Sequence, residues 1–101
     1  MASLMKKGAF VYIMTNKRNG TLYVGAATNL PKRIGEHRQG LGSKFTSKYG
    51  LKRLVYVEPH ATIQDAVSRE HLMKKWKRSW KIELIESRNP DWNDLFDKVC
   101  R

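Results

Sequence analysis

The stretch F-V-Y-I-M-T-N-K-R-N-G-T-L-Y-V-G, from Phe10 to Gly25, decides the fold. Two runs rich in β-branched and aromatic residues, Phe10 to Thr15 and Thr21 to Gly25, flank Asn19-Gly20. Asn-Gly is the strongest short hairpin signal, because both residues tolerate the positive φ of a tight turn. A two-residue turn at Asn19-Gly20 and a four-residue turn from Lys17 to Gly20 both pair an even position with an odd one; a three-residue loop would break that parity. Side chains alternate faces along a strand. One face therefore carries Val11, Ile13, Leu22 and Val24, an ordinary aliphatic core face. The other carries Phe10, Tyr12, Met14, Tyr23 and Gly25. It sets two tyrosines diagonally across a ladder, next to a glycine that something can approach closely.

The chain around this hairpin has 101 residues, room for one domain with one modest core, and its 41% hydrophobic content suffices to fold without staples. Twenty Lys and Arg stand against nine Asp and Glu, a net charge of +11. So large an excess in so short a chain marks a polyanion partner rather than solubility alone. The charge is spread along the chain, whereas a membrane anchor would concentrate it in one amphipathic helix, so nucleic acid is the expected polyanion. Cys100 is the single cysteine. It rules out an internal disulfide, argues against a cysteine-based zinc site and fits a reducing cytoplasm, the expected location. No run approaches the ~20 apolar residues of a membrane span, and Lys6 and Lys7 do not introduce a signal peptide.

Residues 1 to 8 read as a flexible lead-in and residues 9 to 99 as a single domain. Asn29 is a good N-cap and Pro31 suits a first turn, so a helix runs from Leu30 to Gln39 and ends at Gly40. Leu30 and Ile34 share its apolar stripe; Arg33 and His37 stand one turn apart. Gly40 to Lys52 reads as a loop, with Lys44, Lys48 and Lys52 interleaved with Phe45 and Tyr49. Such a loop suits phosphates and bases, or its two rings tuck into the core. Arg53 to Val57 is a third strand. A second helix spans Ile63 to Lys77 from near Thr62, a further segment Trp80 to Glu86 has Ser79 as its cap, and a last helix follows the Asn89-Pro90-Asp91 turn from Trp92 to Val99. Trp76, Trp80 and Trp92 read as core.

One residue is out of place in this pattern. At ~100° per residue, Ile63, Ala66, Val67 and Glu70 share a stripe, which puts Glu70 on the face that points into the protein. A carboxylate there must be paired, hydrogen-bonded or bound to a metal. Three readings stand: an ion pair, with Arg33 as a candidate partner; a glutamate that snorkels to the rim; or a ligand for Mg²⁺, which keeps several waters and needs few protein groups. The run Lys74, Lys75, Lys77 and Arg78 is either a solvated face or a phosphate contact. A phosphodiester nuclease needs a group to activate water, positive charge for the phosphorane, and a cation or acid for the leaving oxygen. Two tyrosines, Arg33, His37 and Glu70 could supply these.

The pair V-Y-I (11–13) and Y-V-G (23–25) across a hairpin resembles the two half-motifs of the GIY-YIG nuclease superfamily. Arg33, ten residues after the second tyrosine, then His37 one turn on, resembles the family's next signature. Glu70 in R-E-H-L-M-K-K-W falls where the family carries its metal-binding glutamate, and Asn89 in N-P-D-W resembles an asparagine near the domain's end. The likeness spans residues 8 to 97 and is nearest to small stand-alone bacterial members. Phe10 replaces the first glycine of the family name and Val24 an isoleucine; neither change removes a chemically active atom.

The resemblance implies an α+β fold, a three-stranded antiparallel sheet flanked by helices. It implies metal-dependent hydrolysis of a nucleic-acid phosphodiester through one Mg²⁺ or Mn²⁺ ion, with DNA expected ahead of RNA. In that scheme Tyr12, ahead of Tyr23, activates water, family members differing over which tyrosine is the base; Tyr23 contacts water or phosphate, Arg33 holds the phosphate, His37 assists proton transfer or hydrogen-bonds the tyrosine, and Glu70 holds the metal. Gly25 and Asn89 support, and Lys32, Arg38, Lys44, Lys48, Lys74 and Lys75 contact nucleic acid. A nuclease of this size would read structure rather than sequence, or take its address from a protein partner or a dimer. The rival reading is a non-catalytic nucleic-acid-binding module on the same fold.

Overall fold

Strand β1 (Ala9–Thr15) sits in the middle of the sheet and all seven of its residues are buried. The computed structural model describes residues 8–100, so the expected lead-in lies, apart from Gly8, outside the described residues. β2 (Leu22–Ala27) and β3 (Arg53–His60) pair with β1 on either side, both antiparallel, in the order β2-β1-β3. The hairpin takes the four-residue alternative: Thr15 pairs with Leu22 and Tyr12 with Gly25. The Gly20 N–H donates to the Lys17 carbonyl at 2.9 Å, and Asn19 takes the left-handed conformation at φ 57°. The parity is as expected, so the two faces separate as read from the sequence.

On the aliphatic face, Val11, Ile13 and Val24 meet Ala66 and Met73 of one helix and Ile85 of another. On the tyrosine face, Phe10, Tyr12 and Met14 meet Leu30 and Ile34. The helices are α1 (Leu30–Arg38), α2 (Lys44–Tyr49), α3 (Ile63–Lys74), α4 (Arg78–Arg88) and α5 (Phe96–Cys100). Asn29 caps α1 through Oδ1, which accepts the Lys32 N–H at 3.2 Å, and Thr62 caps α3 in the same way. α3 lies chiefly along β2, which brings its Glu70 to the edge of the sheet where Tyr23 stands.

Several boundaries differ from the sequence reading. Gly40 to Lys52 is not a continuous loop: Ser43 Oγ accepts the Thr46 N–H at 3.0 Å, and α2 follows, ending on Gly50 at φ 63°. Phe45 and Tyr49 do not tuck into the core; they are 44% and 43% exposed. β3 runs on through Pro59 to His60, a proline position that an edge strand tolerates. α3 stops at Lys74, and α4 starts at Arg78 with Lys77 at its cap position and no side-chain bond, so Ser79 is not a cap. Trp92 does not open a helix. It is buried in the aliphatic core at φ 57°, with its Nε1–H donated to Glu86 Oε2 at 2.8 Å. Trp80, expected in the core, is half exposed.

The outer edge of β3 is closed by the segment around Asn89. The ladder skips Val55, since Ile13 pairs with Tyr56 and Met14 with Leu54. Asn89 Nδ2 donates to the Val55 carbonyl at 3.1 Å and to the Asn93 carbonyl at 2.9 Å, while Asn89 Oδ1 accepts the Asn93 N–H at 3.1 Å. Asn89 is therefore a brace for the bulged edge. Asn89→Ala should destabilise the fold by roughly 1–3 kcal/mol through unpaired buried groups. In a thermal melt followed by circular dichroism this lowers the midpoint by about 5–20 °C.

Candidate active site

Tyr12 projects from the centre of the tyrosine face and is fully buried. Its ring lies across Gly25, its partner in the ladder; a Cβ there would stand 2.5 Å from the phenol Cζ and Oη. A buried hydroxyl must find a hydrogen-bond partner. Tyr12 Oη finds His37 Nε2 at 2.8 Å, presented from the last turn of α1. The other ring nitrogen, His37 Nδ1, lies 2.9 Å from Thr46 Oγ1 on α2. Gly42 passes so close to the His37 ring that a side chain there would collide with Nδ1.

Tyr23 lies beside this pair, its ring centroid 6.3 Å from Tyr12 and 5.4 Å from His37. The rings continue outward: Tyr23 stacks with Phe45 at 6.1 Å, and Phe45 meets Tyr49 at 4.9 Å. Lys74 Nζ sits 5.7 Å over the Tyr23 ring and 2.8 Å from Glu70 Oε2. The Glu70 side chain is 15% exposed, so the inward stripe read from the sequence holds; its partner is Lys74, however, and not Arg33. Arg33 is half exposed, donates to the Ala26 carbonyl at 3.4 Å and lies 3.7 Å from Glu36.

The electrostatics bear on proton transfer. Burial, reinforced by Tyr23 and Glu70, pushes the Tyr12 phenol well above its ordinary value of 10; the Arg33 guanidinium pulls it back only in part. Burial also holds His37 below its ordinary 6.5, with the charge of Arg33 adding to it and Glu36 opposing. Tyr12 thus stays a phenol and His37 a neutral imidazole at neutral pH, one a donor and the other an acceptor.

The structure gathers Tyr12, Tyr23, Gly25, His37, Glu70 and Lys74 at one edge, with Arg33 near enough for its charge to act on Tyr12. Lys32 shares a cleft with Arg33, and Lys44 and Lys48 line the outer side of α2. Arg38 is elsewhere, paired with Asp94 at 3.1 Å and lying over the Phe96 ring. Lys75 is exposed at the end of α3, and Asn89 belongs to the β3 edge. Sequence reasoning missed Thr46, which lay inside the supposed loop; the Ser43-to-Thr46 spacing of a cap was the available signal. Among the described residues no three His, Cys, Asp or Glu side chains cluster as a metal site. Glu70, paired with the lysine that lies over Tyr23, offers a carboxylate at this edge, and a single carboxylate suits a hard cation keeping most of its waters.

A hairpin-borne tyrosine pair on a three-stranded sheet, with helices supplying a histidine and a glutamate, defines a GIY-YIG-type domain. Residues 8–83 match the GIY-YIG catalytic domain. The chain is 41% identical over 80 residues to a UPF0213 protein of Clostridium perfringens, covering 79% of this chain and 85% of the relative. It is 34% identical over 91 residues to a UPF0213 protein of Streptococcus pneumoniae, covering 90% of each. The solution NMR structure of a UPF0213 protein from Bacillus halodurans superposes with a TM-score of 0.53 at 28% identity, over 85% of this chain and 90% of that one. The chain therefore belongs to the GIY-YIG family, a nuclease family, and its relatives are small bacterial UPF0213 proteins. No helix among the described residues is long and apolar enough to cross a membrane.

His37 binds a proton less readily folded than unfolded, so its contribution to stability is complete above about pH 6.5 and is lost as pH falls through the lowered value. An NMR titration of the imidazole should give a midpoint below 6.5, and a midpoint above it would contradict the burial argument.

Proposed function

We propose that the protein is a metal-dependent endonuclease that hydrolyses phosphodiester bonds, of DNA ahead of RNA, recognising structure rather than sequence. The observation that carries this reading is the buried Tyr12–His37 hydrogen bond, set at the same edge as Glu70. A tyrosine held above its ordinary pKa is a poor base alone. It is a good relay when its own hydrogen already faces an acceptor. As a water attacks phosphorus, it passes a proton to Tyr12 Oη, and Tyr12 passes its hydrogen to His37 Nε2, which becomes imidazolium. The P–O bond to the leaving oxygen then breaks, leaving a phosphate monoester and an alkoxide that takes a proton from solvent to become a hydroxyl. Arg33, half exposed at the mouth of the site, holds the scissile phosphate and offsets the charge that develops on it. Tyr23 borders the path of the attacking water. Glu70 would hold the divalent ion, Mg²⁺ or Mn²⁺, which when bound would supply positive charge to stabilise the leaving group.

Lys32, Lys44, Lys48 and Lys74 surround this edge and would track the phosphate backbone, with Lys75 at its margin. Arg38 is committed to Asp94 and contributes less than the sequence reading assigned. One observation favours the rival reading: Phe45 and Tyr49, half exposed between lysines, suit binding without cleavage.

The test is a cleavage assay on duplex, single-stranded and branched DNA and on structured RNA, with Mg²⁺, Mn²⁺ or EDTA. Glu70→Ala should lower metal-dependent cleavage by about 10²-fold or more while binding changes little. Arg33→Ala should cut cleavage far more than binding. Salt-sensitive binding with no cleavage on any substrate would establish the binding module instead. Unfolding of Glu70→Ala would assign the carboxylate to a structural pair with Lys74.

A further inference from the structure

Thr46 is 1% exposed, polar, and takes no part in the relay described above. Its hydroxyl has one hydrogen and two lone pairs. Of its three neighbours, the Ser43 carbonyl at 3.2 Å is the one that can only accept, which makes it the partner for that hydrogen. The Ser43 hydroxyl accepts the Thr46 N–H at 3.0 Å and lies 2.9 Å from Thr46 Oγ1, placed to donate its own hydrogen there. Thr46 Oγ1 therefore meets His37 Nδ1, at 2.9 Å, with a lone pair. Two lone pairs cannot bond, so the hydrogen between them belongs to Nδ1. Neutral imidazole carries one N–H, so Nε2 is left bare, facing the Tyr12 hydroxyl at 2.8 Å.

We propose that Thr46 is a positioning residue: it holds His37 in the Nδ1–H tautomer and so makes Nε2 the acceptor of the Tyr12 hydrogen. The catalytic consequence rests on the nuclease reading; the tautomer does not. In the opposite tautomer the Nε2–H would point at the phenol oxygen, and Tyr12 could not hand its hydrogen to His37. Ser43 acts twice, capping α2 through its Oγ and fixing the Thr46 hydroxyl through its carbonyl. Gly42 leaves the room in which the ring and the hydroxyl meet. The segment Gly42 to Thr46 is thus a seat for one imidazole.

The experiment is a long-range ¹H–¹⁵N correlation spectrum of the imidazoles in the full chain at pH 7.5, beside steady-state cleavage kinetics. The wild-type protein should show His37 protonated at Nδ1 and bare at Nε2; a wild-type ring protonated at Nε2 overturns the proposal. Thr46→Val removes the oxygen at nearly constant shape. It should move the ring toward the Nε2–H form and lower kcat by about 10²–10⁴-fold with KM little changed. Thr46→Ser keeps the oxygen and should restore both the tautomer and most of kcat. An unchanged spectrum and rate in Thr46→Val would also overturn it. If Thr46→Val fails to fold, the wild-type spectrum and Thr46→Ser still decide: Nδ1–H in both supports the proposal, and Nε2–H in either overturns it. An Nδ1–H ring that switches in Thr46→Val, in a protein that cleaves nothing, would support the positioning role and defeat the nuclease reading.

Discussion

A phenol buried in the middle of a sheet is the constraint from which the rest of this site follows. β1 is covered on both faces and paired on both edges, so whatever its residues carry must be satisfied inside the protein. For six of the seven residues, packing or a local bond suffices; Thr15, for example, donates to the nearby Lys17 carbonyl. Tyr12 requires a partner from across the core. His37 provides it, which fixes the rotation of α1 against the sheet. His37 in turn has a second nitrogen to satisfy, and that draws α2 onto the same edge. Each buried polar atom recruits the next element until the chain of bonds reaches a helix cap.

Two largely buried glutamate side chains, Glu58 and Glu70, show how differently the fold uses a carboxylate. Glu58, on the aliphatic side of β3, accepts from Tyr56 at 2.6 Å and from Arg69 at 3.0 and 3.2 Å, and lies 2.6 Å from His60 Nε2. Burial would raise its pKa, but these hydrogen bonds outweigh it and hold the carboxyl below its ordinary value. That group is fully engaged in bracing β3 against α3. Glu70 meets a single lysine on a flexible stem. Displacing one ammonium is a small change beside dismantling a bidentate arginine and two further partners. Of the two, Glu70 is the carboxylate that can exchange its partner.

The hairpin was legible because two independent signals agree there. Alternation sets which residues share a face, and Asn19-Gly20 limits the turn to lengths that keep the parity, so the juxtaposition of Tyr12, Tyr23 and Gly25 followed from the letters alone. α1 and the inward position of Glu70 were legible from cap and period. α2 was not: six residues flanked by glycines carry too little periodicity, and the helix rests on a serine cap and a left-handed Gly50. Trp92 defeated the reading for a different reason, since its backbone is set by what its indole buries and bonds, not by local propensity. The Glu70–Lys74 pair lies within α3 at i,i+4 spacing, whereas the partner of His37 Nδ1 depends on where separate elements meet. Thr46 is nine positions from His37 in sequence, and nothing at either position announces that the two side chains touch.

The relay joins parts of the molecule that open at different free-energy cost. β1 exposes its amides only when the sheet itself comes apart, whereas α2 is short, largely exposed and held by one cap, a few rings and the imidazole. Local opening of such a segment costs far less than global unfolding. Under the proposed function, the state of the site therefore follows a six-residue folding equilibrium rather than the stability of the whole domain. Amide exchange at Thr46 and Ser47 would run ahead of exchange at Tyr12. A solute or temperature that melts α2 alone would undo the seat of His37 in a protein whose sheet and shape still look native.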